Sequence, residues 1–472
     1  MANRPNPLQP VIVNVKVLGV NTPADYTRVF GIVSYGDTNL EANTLKTISK
    51  SEIADLQLKE GSYTESFLNS FFTNNAMGQI NVLETKTVPN IKQYAVGDYY
   101  VSGSQAYKCL QADTATSETN LAPSKLSEGA YWEETSDPKK YEIDSLYVNA
   151  QGETYKCIQA DTALSATNLT PTNLSSTEYW TNITSEIVSE AVQVLSDFVA
   201  SGELRVYEWA CPTAFYTNTD FIALVKSYSG VTAGQYFSIE LPVDTDPSTD
   251  ETFALYIKSK SFAPVYPSSV EGESANGAIV GVKSGNLYNL SVSNPLSLLQ
   301  WKTIYGITPQ DRLSNSLVNA LNENGCSWIG SLNNNTVVLG GMVADGKDWE
   351  YYFALDTFIF RLIVDVASMM IQASNNPLQA IKFNQNGINI IKNKLVAISN
   401  TMLTFGVLDN FGSDYDTNTK AILNSGEWAA VDFATYKANQ YQDWKDGIYN
   451  GASCYATIGN FILQVVPNIT VE

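Results

Sequence analysis

The sequence predicts an α+β fold, with mixed α/β domains into which two small all-β modules are inserted. Amphipathic helical segments alternate with short apolar strands on both sides of a polar stretch that occurs twice. Its two copies read YKCLQADTATSETNLAP from Tyr107 and YKCIQADTALSATNLTP from Tyr155. A length of 472 residues, 44% of them hydrophobic, is enough for about two to four domains that each have a core.

The segment before the repeat predicts two helices followed by a strand. Ser49 and Glu52 have the spacing of a capping box, which marks the start of a helix. Leu68, Phe71 and Phe72 lie on one helical stripe, and QINVLE (79–84) alternates as a strand does. These elements predict the first part of an α/β domain.

The repeat extends beyond the two quoted phrases. Copy one runs over 94–134 and copy two over 141–182, and Trp132 and Trp180 are 48 positions apart, as are Tyr107 and Tyr155. Short alternating runs broken by Gly or Asn predict small antiparallel β-units. Two copies are too few for a solenoid, so they are interpreted as two modules in tandem.

The chain after the repeat resumes the α/β pattern. Residues 185–211 predict a helix and then a strand, so the modules interrupt one domain between its strand near Val82 and its helix near Val188. Insertion at an exposed loop is the way in which such domains tolerate extra modules.

Further downstream the pattern alternates again. FIALVKSY predicts a short helix, and YFSIELPV and FALYIKSK predict strands. A helix is predicted from Thr308 and Pro309 to a C-cap at Asn324 and Gly325. Two strands are predicted on either side of 333–335, then a long amphipathic helix over 355–373 and another helix in NGINIIKNKL (386–395).

Several kinds of chemistry are excluded by the composition. The chain has no histidine, which removes Ser-His-Asp and Cys-His nucleophilic sites and His-ligated metals. No glycine-rich phosphate loop occurs. DTDPSTDE (244–251) and SDYDTNT (413–419) lack the EF-hand pattern and are interpreted as solvated loops. We expect a protein that is not an enzyme and has no catalytic residue, metal or cofactor.

The net charge of -20, without a cluster of Lys or Arg, argues against a nucleic-acid partner. The acidity promotes solubility or indicates a basic partner surface, and the sequence leaves both open.

No signal peptide is visible, and the most apolar run (353–371) contains Asp356, Arg361 and Asp365, which argues against membrane insertion. Sparse cysteines indicate a reducing compartment, with Cys109 and Cys157 expected to be buried. Together these observations predict a soluble chain made in the cytoplasm.

The two modules resemble short chitin- and cellulose-binding modules with the pattern Y-x-x-G-D-x-V…G-x-x-Y-x-C-x-x-A-H-T…P…W. Copy one keeps nine of these positions: Tyr94, Gly97, Asp98, Tyr107, Cys109, Ala112, Thr114, Pro123 and Trp132. The usual His is Asp113 in copy one and Asp161 in copy two. Copy two also replaces Gly97 and Asp98 by Asp144 and Ser145.

In such modules exposed aromatic rings stack on sugar faces. By position the resemblance therefore implies a glycan site at four residues: Tyr131, Trp132, Tyr179 and Trp180. The alternative is that these rings close the small core of each module. The sequence leaves this choice open.

The rest of the chain resembles the tail sheath proteins of contractile bacteriophages, specifically a divergent sheath-like group. The resemblance is carried by GITP (306–309), LNENGCSWIG (321–330), Gly340 and Gly341, the helix in 348–366, and NGINIIKNKL with its trailing GVLD (406–409). It covers roughly 300 residues, and GGMVADGKD (340–348) stands where the family has a basic R-T pair.

This resemblance implies mixed α/β sheath-like domains and a subunit that polymerises around a tail tube and contracts to drive it through the host envelope. The implied partners are other copies of itself in a helical homo-oligomer, the tail tube protein, and the baseplate and tail terminator proteins. A host-surface polysaccharide would be a partner of the modules. The implied location is the tail of a virion that is assembled in the host cytoplasm.

Both ends of the chain alternate as strands, over 11–20 and 461–472. A strand needs neighbours for its backbone N–H and C=O groups, and a neighbouring subunit can provide them. The resemblance implies that such arms link subunits. The strand positions are Val11, Val13, Val15, Val17, Phe461, Leu463, Val465, Ile469 and Val471. Pairing within the same subunit is the alternative.

Five segments are therefore predicted. They are 1–90, an N-terminal arm and the first part of the sheath domain; 91–136 and 137–184, modules one and two; 185–300, the second part of that domain; and 301–472, an assembly domain with a linking strand. One competing function is a secreted or surface glycan-binding adhesin. Another is a polysaccharide-degrading enzyme, which would need a pair of carboxylates on a barrel strand, and no such motif is found.

Overall fold

The computed structural model describes residues 29–86, 93–115, 122–149, 153–201, 206–228, 235–287, 298–376 and 380–459. It confirms the prediction of a mixed α+β chain that carries small antiparallel sheets. The strands of the main sheet are β1 (Val29–Ser34), β2 (Thr44–Ser49), β3 (Gln79–Glu84), β4 (Val206–Cys211), β5 (Tyr236–Glu240) and β6 (Phe262–Val265).

Helices connect and cover these strands. They are α1 (Tyr63–Asn74), α2 (Thr184–Ser201), α3 (Thr219–Tyr228), α4 (Glu251–Ala254), α5 (Ala275–Leu287), α6 (Asn315–Glu323), α7 (Trp349–Asn375), α8 (Gln385–Thr404), α9 (Phe433–Asn439) and α10 (Tyr441–Asp446). The capping box of Ser49 and Glu52 is present, but it starts a 3₁₀ helix, Lys50–Leu56.

The main sheet has the order β6-β5-β4-β1-β3-β2, and only β2 runs antiparallel to its neighbour. Helices α1, α5 and α7 pack on one face of the sheet, and α2 and α3 pack on the other. A parallel sheet needs this cover because both of its faces are apolar. The interrupted α/β pattern is therefore one doubly wound sheet.

Helices α1 and α5 pack closely because α5 presents glycines to α1. A Cβ atom built on Gly277 would lie 2.5 Å from the Phe67 carbonyl oxygen, and one on Gly281 would lie 2.6 Å from that of Phe71. Neither glycine needs a left-handed backbone. The constraint is the close approach of the two helices.

The two modules leave the sheet after β3 and rejoin it at α2. Each holds a three-stranded antiparallel sheet, formed by Tyr99–Ser102, Gln105–Cys109 and Trp132–Thr135 in module one and by Leu146–Val148, Thr154–Cys157 and Trp180–Asn182 in module two. Shorter pairs complete them, Gln93–Tyr94 with Asp113–Thr114 and Lys140–Tyr141 with Asp161–Thr162. The expected β-units are therefore present.

The C-terminal part begins with the predicted hairpin, in which β7 (Trp328–Leu332) pairs with β8 (Asn335–Leu339). Asn333 and Asn334 both take positive φ, as a tight hairpin turn requires. Three further short pairs follow α8: Leu408–Asp409 with Thr457–Ile458, Ser413–Asp416 with Ala421–Asn424, and Trp428–Ala430 with Ala452–Cys454.

The strand predicted in FALYIKSK is wrong. Its first two residues end α4, and turns follow, because Asp250 caps α4 by accepting a hydrogen bond from the Phe253 N–H. The next strand is β6, which contains Pro264 and was not predicted. β6 lies at an edge of the sheet, where a proline is tolerated.

The helix predicted from Thr308 begins later, at Asn315, with Ser314 as its N-cap. The Thr308 N–H and hydroxyl donate to the Glu273 carboxylate at 2.7 and 2.9 Å. These tertiary hydrogen bonds hold the segment out of a helix. The predicted end is confirmed, since α6 stops at Asn324 and Gly325 takes φ +69°.

Candidate functional site

The carboxyl end of the main sheet is the place where doubly wound proteins hold ligands. Here the chain's own carboxylates occupy it. Glu84 ends β3 with no solvent exposure, and Glu240 ends β5 and accepts hydrogen bonds from the Ser274 hydroxyl and the Ala275 N–H. Asp37 accepts from both the N–H and the hydroxyl of Thr64 near the start of α1.

A second buried polar group joins the sheet to α5 and α7. The Lys283 ammonium lies 2.8 and 2.9 Å from the two carboxylate oxygens of Glu208, and the Trp349 indole N–H donates to the same carboxylate at 3.0 Å. Both partners of the ion pair are shielded from water. Because every partner is paired, we interpret this group as structural.

A third group lies next to it. The hydroxyls of Tyr207 and Tyr236, from β4 and β5, donate to Asp356 of α7 at 2.9 and 3.2 Å. The contact partners are 149 and 120 positions apart in the chain. Asp356, which looked unfavourable within an apolar run, therefore fixes the long helix on the sheet.

Each module has a core of four buried side chains. They are Tyr94, Cys109, Ala115 and Trp132 in module one, and Tyr141, Cys157, Ala163 and Trp180 in module two. In both modules the Tyr and Trp rings meet edge to face with centroids 5.2 Å apart. The two cores are the same structure built twice, and the expected burial of both cysteines is confirmed.

Asp113 closes the core of module one. It accepts hydrogen bonds from the Trp132 indole at 2.8 Å, the Ser124 hydroxyl at 2.7 Å, and the N–H groups of Lys125 and Thr114 at 3.0 and 2.8 Å. Burial raises the pKa of Asp113, but the hydrogen bonds outweigh it, so the pKa lies below its usual value.

Asp161 does the same in module two. The Trp180 indole donates to it at 2.9 Å, and Asn173 donates through both its backbone N–H and its side-chain amide. As in module one, burial raises the pKa of Asp161, and the hydrogen bonds lower it further than burial raises it. Asp144 adopts φ +71° at the position of Gly97, so the departure from the family pattern keeps the same turn.

Of the four predicted glycan residues, the structure places Trp132 and Trp180 in the module cores, each with 2% exposure and its indole N–H paired. Neither indole has a free face for a sugar ring. Tyr131 and Tyr179 are half-buried, and the Lys125 ammonium lies 3.8 Å from the centre of the Tyr131 ring. Binding of a glycan is not supported by these contacts and stays a prediction for the two tyrosines.

The predicted terminal strands (11–20 and 461–472) lie outside the described residues. One surface near the C-terminus has unused strand edges among the described residues: the hairpin of Ser413–Asp416 and Ala421–Asn424, which pairs with no third strand. Tyr415 and Ile422 face each other across it and are 55% and 68% exposed, and Phe411 at its base is 76% exposed.

Within the described ranges, no group of three or more Cys, Asp or Glu side chains has the geometry of a metal site. The helices described there also include none with the length and apolar character needed to span a membrane.

Sequence reasoning missed the roles of Glu84, Asp113 and Gly281. Asp113 and Asp161 gave a signal, because both copies replace the same His with the same residue. Gly277 and Gly281 gave a weaker one, as two glycines spaced by four, in a segment for which no helix was predicted. Glu84 gave none, since only the fold brings its donors together.

No protein-family model matches the chain, and no curated protein matches it. Among solved structures it is similar to the sheath tail protein Lin1278 from Listeria innocua, with 13% identity, a TM-score of 0.40, and coverage of 82% of this chain and 88% of that one. It is also similar to the sheath tail protein DSY3957 from Desulfitobacterium hafniense, with 11% identity, a TM-score of 0.41, and coverage of 86% and 93%.

A third similar chain comes from the cryo-EM structure of the anti-feeding prophage baseplate in the contracted state. It has 11% identity and a TM-score of 0.42, with 98% of each chain covered. The structural neighbours are thus sheath proteins and a contractile baseplate. At these TM-scores the likeness does not by itself assign a function.

Proposed function

We propose that the chain is a structural subunit of a contractile tail sheath, in a phage or a phage-derived injection system. One observation carries the proposal: the sequence motifs of the sheath resemblance lie, in the same order, on four consecutive elements, α6, β7, β8 and α7. LNENGCSWIG forms the end of α6, the turn at Gly325 and strand β7, and Gly340 and Gly341 follow β8 before the long helix α7.

A non-enzymatic role is supported by the carboxyl end of the sheet. Glu84, Glu240 and Asp37 are buried or half-buried there, and each is bound to the chain's own N–H and hydroxyl groups. They therefore fix loops and are not presented to a substrate. The tail tube, baseplate and terminator proteins are the proposed partners, and the virion tail, assembled in the host cytoplasm, is the proposed location.

We further propose that the terminal arms link neighbouring subunits. Thr457–Ile458 pairs antiparallel with Leu408–Asp409, and the Gly459 N–H continues this pairing by donating to the Val407 carbonyl. Among the described residues, the hairpin of 413–424 pairs with no third strand. A segment of another copy, such as 461–472 or 11–20, is the proposed third strand on that hairpin.

Electron microscopy of the purified chain tests the proposal. A sheath subunit forms tubes or rings, whereas an adhesin stays dispersed. A variant that lacks residues 466–472 should melt at the unchanged temperature yet form no tubes. A truncated chain that unfolds would show that the strand belongs to its own core, and a full-length chain that never assembles would contradict the sheath function.

Glycan binding by the modules is a separate proposal, which rests on their sequence resemblance. The alternative function, an adhesin, would make it the main activity. Retention on host cell wall or capsule polysaccharide tests it with Tyr131→Ala plus Tyr179→Ala, since those rings are partly exposed. If the double variant is still retained on the polysaccharide, or if the wild type is not retained at all, the two tyrosines do not form a glycan site.

A further inference from the structure

The loops that follow β1 and β3 converge on the carboxylate of Glu84. Its Oε1 accepts hydrogen bonds from the backbone N–H groups of Gly36 at 2.7 Å, Thr85 at 2.9 Å and Lys86 at 3.0 Å. Three main-chain donors from two loops thus meet at one oxygen. This is the arrangement by which backbone nests hold an anion.

The second oxygen, Oε2, has three more donors. The hydroxyls of Ser34 and Thr38 lie 2.7 Å from it, and the Thr38 N–H lies 3.2 Å from it. Ser34 has no solvent exposure and Thr38 has 4%, so these donors are buried with the carboxylate. Among the described residues no ion pair reaches Glu84, so its charge is held by N–H and O–H groups.

The position of this nest in the fold is informative. Along the chain the five parallel strands follow the order β1, β3, β4, β5 and β6, yet β1 lies between β3 and β4 in space. The connection from β1 runs to one side and the connection from β4 to the other, so the direction of winding changes between β1 and β4, and the loop after β1 borders that point. In open α/β sheets the loops at such a point bind ligands, often through the phosphate of a nucleotide.

We propose that these two loops form an oxyanion site of the kind that takes a phosphate or sulfate group, and that Glu84 occupies it as an internal ligand. The carboxylate satisfies the six donors permanently, so the sheet end is ordered without a bound cofactor. Gly36 takes φ +74°, which turns its N–H towards the anion.

The internal ligand also fixes the exit of the modules. Thr85 follows Glu84 directly, and its N–H and hydroxyl donate to the Ser34 carbonyl at 3.0 and 2.7 Å. Glu84 therefore holds the residues that follow β3, Thr85 and Lys86, in place before the inserted segment begins. A loop that depended on a free ligand would leave this junction open whenever the ligand dissociated.

The test is rescue by an added oxyanion. Glu84→Ala removes the carboxylate and leaves room for a small anion, whereas Glu84→Gln keeps the volume and closes the site. We expect Glu84→Ala to melt at a lower temperature than the wild type in sodium chloride. Sulfate or phosphate at matched ionic strength should then raise that temperature in a saturable way.

The controls separate binding at the nest from the general stabilisation that sulfate gives to folded proteins. The wild type and Glu84→Gln should show only the general effect, and adding Thr38→Val to Glu84→Ala should weaken the rescue. Equal gains in all variants would overturn the proposal. If Glu84→Ala does not fold in chloride, refolding in sulfate or phosphate must recover soluble protein, and failure there overturns the proposal as well.

Discussion

The indole N–H of Trp132 donates to the Asp113 carboxylate at 2.8 Å, across 19 positions of the chain. The same bond joins Trp180 and Asp161 at 2.9 Å with the same separation. This relationship explains why the two modules share a phrase: the repeated residues include those that build the core. It also shows that the two tryptophans, which were candidate ligand contacts, belong to the module cores.

Replacing Trp132 should unfold module one alone. Trp132→Ala removes a buried ring and leaves Asp113 without one of its donors, which should cost about 3–5 kcal/mol. Limited proteolysis should then cut within 93–135 and spare 140–182. Tyr131→Ala, at a half-buried neighbour, is the matched control and should have a smaller effect. Equal protection in both variants would contradict the role of the indole.

Acid should weaken both modules. The pKa values of Asp113 and Asp161 lie below the usual value, so each carboxylate stabilises the folded state above its unfolded pKa of about 3.9. That contribution is lost as the pH falls through the folded pKa. In amide hydrogen exchange, the double variant Asp113→Asn plus Asp161→Asn should be less protected than the wild type near neutral pH. This gap in protection between the two proteins should close below about pH 4. A gap that does not change with pH would contradict this.

The close approach of α1 and α5 predicts opposite effects at two glycines. Gly281→Ala places a Cβ 2.6 Å from the Phe71 carbonyl oxygen, which should destabilise the chain by about 1–3 kcal/mol. At Gly285 the nearest atom is 3.5 Å away, so Gly285→Ala should stabilise the helix by about 0.5–1 kcal/mol. Denaturant unfolding measures both, and a loss of stability of the same size at Gly285 would refute the packing explanation.

The buried ion pair predicts a double-mutant result. Lys283→Met leaves the Glu208 charge in the core without its partner, which should cost about 3–5 kcal/mol. Glu208→Gln in the same chain removes that charge and keeps an acceptor for the Trp349 indole. The double variant should therefore be more stable than Lys283→Met. If the double variant loses as much unfolding free energy as the two single variants together, the pair is not coupled.

Deleting the modules should leave the α/β domain folded. The change removes residues 92–182 and joins the ends with a short Gly/Ser linker. At the junction the Thr154 N–H donates to the Thr184 hydroxyl and the Ile183 N–H donates to the Thr154 carbonyl, so the start of α2 loses these two contacts. Solubility and electron microscopy test this, and an insoluble product would show that the modules are part of the domain.

Much of the fold was predictable because local periodicity records which face of an element is buried. The helical stripe of Leu68, Phe71 and Phe72 is α1, and the alternation of QINVLE is β3. Asn333 and Asn334 form the turn of the hairpin. The duplication itself located the modules, since two copies could keep a common pattern only where each needs the same core.

The tertiary structure decided what local pattern cannot contain. It decided that Trp132 points inwards, because its partner Asp113 becomes a neighbour only when the module closes. It held Thr308 out of a helix through Glu273, and it assembled the six donors around Glu84 from two loops about 50 positions apart. Periodicity reports the burial of one element at a time, whereas these contacts depend on how separate elements meet, and that information exists only once the chain has folded.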